Sequence, residues 1–196
     1  MAPPAQQPPP RSPLLKWICI ALLSLIVIIG LVILIIYLSV HPKKLKYSIE
    51  QGSITGYNLT HNRLNANFYF VLRADNLNKR MSLYYDRIDV TVSYEDQKVS
   101  VNNVHPFYQR RRNVTNVDLY LVAKDAVVNA AAIGDLKRDK AAGNVDLDLK
   151  IRAKIRFKVG VFKIHRKLQV DCGTMTVPLY TSKGFKRVLC DTDIDN

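Results

Sequence analysis

Residues 145–159 read VDLDLKIRAKIRFKV. Every odd position is apolar: Val145, Leu147, Leu149, Ile151, Ala153, Ile155, Phe157 and Val159. Every even position is charged: Asp146, Asp148, Lys150, Arg152, Lys154, Arg156 and Lys158. Strict alternation places one set on a core and the other in solvent, the pattern of an antiparallel strand wetted on one face. Fifteen residues exceed a usual strand, so a bend or bulge is expected within it. Gly160 ends the run.

Weaker versions of the pattern lie on both sides. Phe68, Phe70 and Leu72 alternate with polar or smaller neighbours, as do Ile88, Val90, Val92 and Tyr94. Val117, Leu119 and Leu121 form another set, then Leu168, Val170 and Cys172, then Met175, Val177 and Leu179. Asn76-Leu77-Asn78, Glu95-Asp96-Gln97 and Asn102-Asn103 supply turn chemistry between them. Many short strands at near-regular spacing predict a mainly β domain, an antiparallel sandwich. One stretch departs from this: residues 124–143 are rich in Ala and predict a short helix at about 125–136. Asp125 is the expected N-cap and Gly143 the stop, with Val128, Ala131 and Ala132 as the apolar stripe.

Ahead of the domain, Ile18 to Val40 is a run of 23 residues without a charge. About 20 such residues cross the hydrocarbon of a bilayer. Trp17 and Tyr37 stand where aromatic rings settle at the two interfaces, and Lys16 and Lys43 flank the run. The run is too long for a signal-peptide core and lacks a small-residue cleavage pattern, so an uncleaved anchor over 17–40 is expected. The tail before it, residues 1–16, is Pro-rich and reads as an extended spacer.

Of the 29 Lys and Arg, 27 fall in residues 41–196, against all 16 Asp and Glu. A domain so basic favours anionic partners, or uses its charge only for solubility. Two basic rows stand out: Lys150, Arg152, Lys154, Arg156 and Lys158 on one strand face, and Arg110, Arg111 and Arg112 after an aromatic pair. Five like charges on one face repel each other unless cross-strand acids or a ligand compensate. Nucleic acid is not expected as a partner, because no aromatic platform is interleaved with the basic residues.

Catalytic signals are missing. The histidines His41, His61, His105 and His165 are at least 20 positions apart, and none forms a metal-ligand spacing with Cys or Asp. The eight glycines form no nucleophile elbow and no phosphate-cradling loop. Neither an enzymatic activity nor a cofactor is expected. Charges flanking the span are near a tie and lean slightly towards a cytosolic domain. Two sequons, at Asn58 and Asn113, lean towards the lumenal side. Cys172 and Cys190 close one short loop in an oxidising compartment, or remain two buried thiols in the cytosol.

Several ordered motifs carry a resemblance. Asn76-Leu77-Asn78-Lys79-Arg80 followed by Tyr84-Tyr85-Asp86, then Pro106-Phe107-Tyr108-Gln109, then Arg156-Phe157-Lys158-Val159-Gly160, resemble the signatures of plant late-embryogenesis-abundant group 2 proteins. These are also described as harpin-induced-like or non-race-specific-disease-resistance-like proteins. Cys172 and Cys190 flanking Val177-Pro178-Leu179 are similar to the family's C-terminal pattern, and Asn113 falls where members often carry a sequon. Leu77 replaces the usual Pro, and Arg110 stands where Gly often follows the Gln.

The resemblance implies an immunoglobulin or fibronectin-III-like sandwich. It divides the chain into a cytosolic tail (1–16), a transmembrane helix (17–40), a connector with the first strand (41–60), the sandwich (61–190) and a C-terminal tail (191–196). It also implies a single-pass plasma-membrane protein with the domain outside, taking part in plant defence. Its expected partners are the bilayer and either an immune-signalling protein or acidic wall polysaccharide. The alternatives are a membrane-tethered protector against dehydration with no specific ligand, and a domain resting on the cytosolic leaflet.

Overall fold

The computed structural model describes residues 13–39, 43–160 and 162–195. The proline-rich tail through residue 12, Val40 and His41 lie outside the described residues, as does the side chain of Tyr37. Two compact units divide at His41 and Pro42. The first holds helix α1 (Pro13–Ser39). Its segment Lys16–Ile35 is long and apolar enough to cross a membrane, and none of that segment is buried. At 1.5 Å per residue the helix is about 40 Å long.

The second unit is β throughout, apart from one helix. Its strands are β1 (Lys46–Thr60), β2 (Arg63–Asn76), β3 (Ser82–Tyr94), β4 (Gln97–Val104), β5 (Phe107–Gln109), β6 (Asn113–Val127), β7 (Asn144–Val159), β8 (Phe162–Pro178) and β9 (Val188–Asp195). All described pairings are antiparallel except an isolated parallel bridge between Ile54 and Leu179. β7, the strand with the strict alternation, lies between β3 and β8. Its apolar residues from Val145 to Phe157 are all buried. The expected irregularities occur: its register against β8 shifts between Asp148 and Lys150, and its register against β3 shifts between Tyr85 and Arg87. Two hairpins turn on residue pairs in the left-handed region, His61-Asn62 and Glu95-Asp96. Positive φ at both positions gives the twist that two-residue hairpins require.

The sheet runs β4-β3-β7-β8-β9-β1-β2-β6, with β5 added to β3. A sandwich of immunoglobulin or fibronectin-III type is therefore not confirmed, because the sheet is barrel-like and nearly closed. Two devices curl it. β9 changes partner midway: Val188–Cys190 pair with β1 and Asp191–Asp195 with β8. The opposite seam, between β4 and β6, is spanned by side chains. Ser100 Oγ donates to the Val122 carbonyl at 2.8 Å, and Asn102 Nδ2 donates to the Tyr120 carbonyl at 2.7 Å. Asn102 and Asn103 thus belong to β4 rather than to a turn. Residues 191–195 are the part of β9 that pairs with β8.

Helix α2 spans Ala130–Ala142, later than expected. Its N-cap is Asn129, whose side chain accepts from the Ala132 amide at 2.8 Å. Asp125 instead stays in β6, where its carboxylate and amide each bond the Asn65 side chain. Gly143 does stop the helix, in the left-handed region at φ 79°. Ala132 and Leu136 form the buried side, while Ala131 is exposed. One core fills the unit, with Ile49, Phe70, Leu83, Leu119, Leu147 and Ile155 among its fully buried members. Each such side chain contributes about 1.5–3 kcal/mol of transfer free energy.

Candidate functional site

The basic row on β7 is compensated in part by its neighbours. Lys150 Nζ lies 3.0 Å from Asp171 Oδ1 on β8. Arg156 forks onto Asp86 of β3 through Nε at 2.6 Å and Nη2 at 2.5 Å. Those bonds hold its guanidinium pKa above the ordinary value. Arg152 is in register with Asp89, which also pairs with Arg87 at 3.1 Å. Lys154 stands between Arg87 and Lys167. Cross-strand acids thus break the row into pieces, as strand faces with like charges require.

The motif residues form a buried polar knot at one end of the sheet. Asn76 is fully buried. Its Nδ2 donates to the carbonyls of Met81 and Arg110, and its Oδ1 accepts from the Asn78 amide. Asn78 accepts from the Lys43 amide at 2.7 Å and donates to the Lys43 carbonyl at 3.0 Å, a side-chain imitation of strand pairing. The Asn78 carbonyl accepts from the Arg112 amide. Gln109, also fully buried, donates to the carbonyls of Ala74 and Asn113 and accepts from the Tyr85 hydroxyl. Tyr85 in turn meets the Tyr47 hydroxyl at 2.7 Å. Burial pushes Tyr85 up to about 12 and raises Tyr47 well above the ordinary phenol value. Phe107 stacks on Tyr85 with centroids 4.2 Å apart, and the exposed Pro106 precedes it.

This knot holds the arginine loop from beneath and brings it to the end of β7. Arg80, Ser82, Tyr108, Arg110, Arg111, Lys158 and Gly160 line a shallow depression of about 510 Å³. Tyr108 lies against Tyr84, and the Arg156 guanidinium lies over the other ring at 5.3 Å. Among the described residues no ion pair engages Arg110, Arg111, Arg112 or Lys158. The segments that meet here, 43–46, 75–86, 107–113, 156–160 and 162–163, carry eleven Lys and Arg, with Lys79 among them, against two Asp. The rest of residues 41–196 carries 16 against 14. The two basic rows of the sequence therefore meet only through Lys158, and Arg80 joins them. Nothing in their spacing reveals this, because strand pairing brings together positions that are far apart in the chain.

The remaining sequence candidates are separate from this end or beside it. Asn58 is exposed near the β1–β2 hairpin, and Asn113 is exposed at the start of β6, its Nδ2 donating to Thr115 Oγ1. Cys172 and Cys190 are joined as a disulfide, between β8 and the point where β9 changes partner. Among the described residues no group of His, Cys, Asp and Glu stands in a metal-binding arrangement.

An apolar helix of membrane-spanning length followed by a barrel-like β unit with one basic end defines a β domain behind an anchor or signal sequence. The family profile described as late embryogenesis abundant protein, LEA_2, matches residues 71–173. NDR1/HIN1-like protein 10 of Arabidopsis thaliana is 35% identical over 167 residues, covering 83% of this chain and 74% of the relative. NDR1/HIN1-like protein 3 of the same plant is 34% identical over 182 residues, covering 88% and 78%. A solution structure of another Arabidopsis thaliana protein aligns with a TM-score of 0.34 at 12% identity, covering 75% of this chain and 91% of that one. A likeness that low carries no argument. The chain belongs to the LEA_2 family of late embryogenesis abundant proteins. Its NDR1/HIN1-like relatives point to plant defence, and neither name is that of an enzyme family.

Proposed function

We propose that this chain is a non-enzymatic, single-pass plasma-membrane protein of plant immune signalling. Its N-terminus is cytosolic and its β domain lies outside, where the basic end contacts an anionic partner. The observation that carries the reading is the concentration of basic charge, without matching acids, around the Arg110–Arg112 loop and Lys158. The exposed sequons and the joined Cys172 and Cys190 support the outer side, since both chemistries belong to oxidising, glycosylating compartments.

Two measurements test it. Full-length chain from plant cells is treated with endoglycosidase and compared with an Asn58→Gln, Asn113→Gln variant. A glycan-dependent shift in the parent alone is expected, whereas a cytosolic domain by protease protection refutes the topology. The second compares retention on a polyanionic resin for Arg110→Glu/Arg111→Glu/Lys158→Glu and for Lys150→Glu/Arg152→Glu/Lys154→Glu. The two variants have the same net charge. The first is expected to elute at lower salt, and equal elution refutes the role of the basic end.

A further inference from the structure

We propose that the basic end is a docking surface for anionic, phosphate-bearing lipid headgroups of the membrane that α1 would span. This rests on the anionic-partner reading above and names the partner. Three observations lead to it. Lys43 follows Ser39 after only three residues, and each residue extends at most about 3.6 Å. Lys43 is bonded through both its amide and its carbonyl to Asn78, whose own carbonyl holds the Arg112 amide. The point where the chain enters the β unit is thus built into the same knot as the arginine loop. The covalent chain alone limits the separation of Ser39 and Lys43 to about 14 Å.

Charge is distributed to match. The tethered end holds eleven basic residues against two acids. The opposite end, with the β3–β4 hairpin and α2, holds seven of the 16 acids, among them Glu95, Asp96 and Asp146, against six basic residues, Arg63, Lys98, Lys124, Lys137, Arg138 and Lys140, and is close to neutral. An anionic surface attracts the first end far more than the second, which orients the domain.

The depression also suits the ligand. Arginine forks bind phosphate oxygens in pairs, and Arg80, Arg110, Arg111 and Lys158 line it together with Ser82 and Tyr108. Tyr108, 43% exposed, offers an amphipathic ring of the kind that settles at headgroup level. An extended polysaccharide would need a continuous track, and the β7 row is interrupted by Asp171 and Asp86.

The test uses the full chain in lipid nanodiscs and follows amide hydrogen exchange peptide by peptide. Discs of phosphatidylcholine alone are compared with discs containing a minority of phosphatidic acid. Exchange at residues 79–82 and 107–112 is expected to slow in the acidic discs and to recover at high salt. Each basic residue near such a surface is worth about fivefold in the docked population. Arg110→Glu/Arg111→Glu/Lys158→Glu should therefore abolish the protection, and the charge-matched Lys150→Glu/Arg152→Glu/Lys154→Glu should keep it. Core peptides from β2 report whether each variant is folded, and Arg110→Gln/Arg111→Gln replaces the triple variant if it is not. Equal exchange in both kinds of disc overturns the proposal. If soluble polygalacturonate then slows the same peptides, the anionic-partner reading stands with a polysaccharide in place of lipid. If neither slows them, both fall.

Discussion

Replacing Gln109 with Leu tests whether the polar knot holds this end of the sheet together. The Gln109 side chain is fully buried and makes three hydrogen bonds. Nε2 donates to the Ala74 carbonyl at 2.8 Å and to the Asn113 carbonyl at 3.1 Å, and Oε1 accepts from Tyr85 at 3.2 Å. Leu has a similar size and restores none of them. At about 1 kcal/mol net per bond the loss is ~3 kcal/mol, since the partners stay buried. For a domain of this length, 1 kcal/mol moves Tm by about 2–4 °C, so a fall of about 6–12 °C is expected. Heat unfolding of the full chain in detergent, followed by near-ultraviolet circular dichroism, measures it. Gln109→Glu sharpens the result, because its carboxylate faces two carbonyl oxygens at neutral pH. That variant should be less stable than Gln109→Leu at neutral pH and should recover on acidification as the carboxyl gains a proton to donate. A fall below about 2 °C for Gln109→Leu, which is under 1 kcal/mol, would refute the structural role of the knot.

Two further outcomes follow from packing and titration. Tyr47 and Tyr85 keep their protons in the folded chain above the pH near 10 at which an unfolded tyrosine loses one. Stability from these neutral phenols is complete below pH about 10 and is lost as pH rises towards the value of about 12 for Tyr85. Denaturant midpoints taken across that window should fall less steeply for Tyr47→Phe/Tyr85→Phe, and an unchanged slope would count against the pair. At Gly52 an added Cβ would sit 2.7 Å from Phe185 Cε2 and 3.1 Å from Phe70 Cδ1. Gly52→Ala should cost about 1–3 kcal/mol by overpacking. Combined with Phe185→Leu it should cost less than the sum of the two, and strict additivity in chemical denaturation would show that the ring does not pack there.

Much of this architecture is legible along the chain because it follows a local period. The inward residues of β7 read directly from their alternation, as do Phe68, Phe70 and Leu72 of β2. The closure of the sheet is not legible, because it depends on how β9 divides its pairing and on two side chains at the β4–β6 seam. Asn102 shows why: its amide can make a turn or donate across an edge, and composition does not distinguish the two. Asp125 and Asn129 pose the same ambiguity four positions apart. The Asn65 side chain captures Asp125, which leaves Asn129 to cap α2. The basic end was half legible. Its arginine run is evident, but its union with Lys158 and Arg80 requires the register of β3 on β7 and the fold of the loop after β5.

The family signatures divide by burial, and the division constrains how variants at this end can be read. Asn76, Asn78, Tyr85 and Gln109 face inward and bond main-chain atoms or each other. Arg80, Tyr108, Arg110 and Lys158 line the surface they support. A substitution at Asn78 would release Lys43 from both of its side-chain bonds while leaving the main-chain bond to the Arg112 amide, so it would disturb the entry of the chain right beside the basic loop. Lost function in such a variant says nothing about a ligand. Reversal of Arg110 or Lys158 leaves the knot's bonds in place, because the knot uses the carbonyl of Arg110 and not its guanidinium. Variants of that second kind can separate recognition from folding, and the surface they alter is the one tied through Asn78 to the start of the domain.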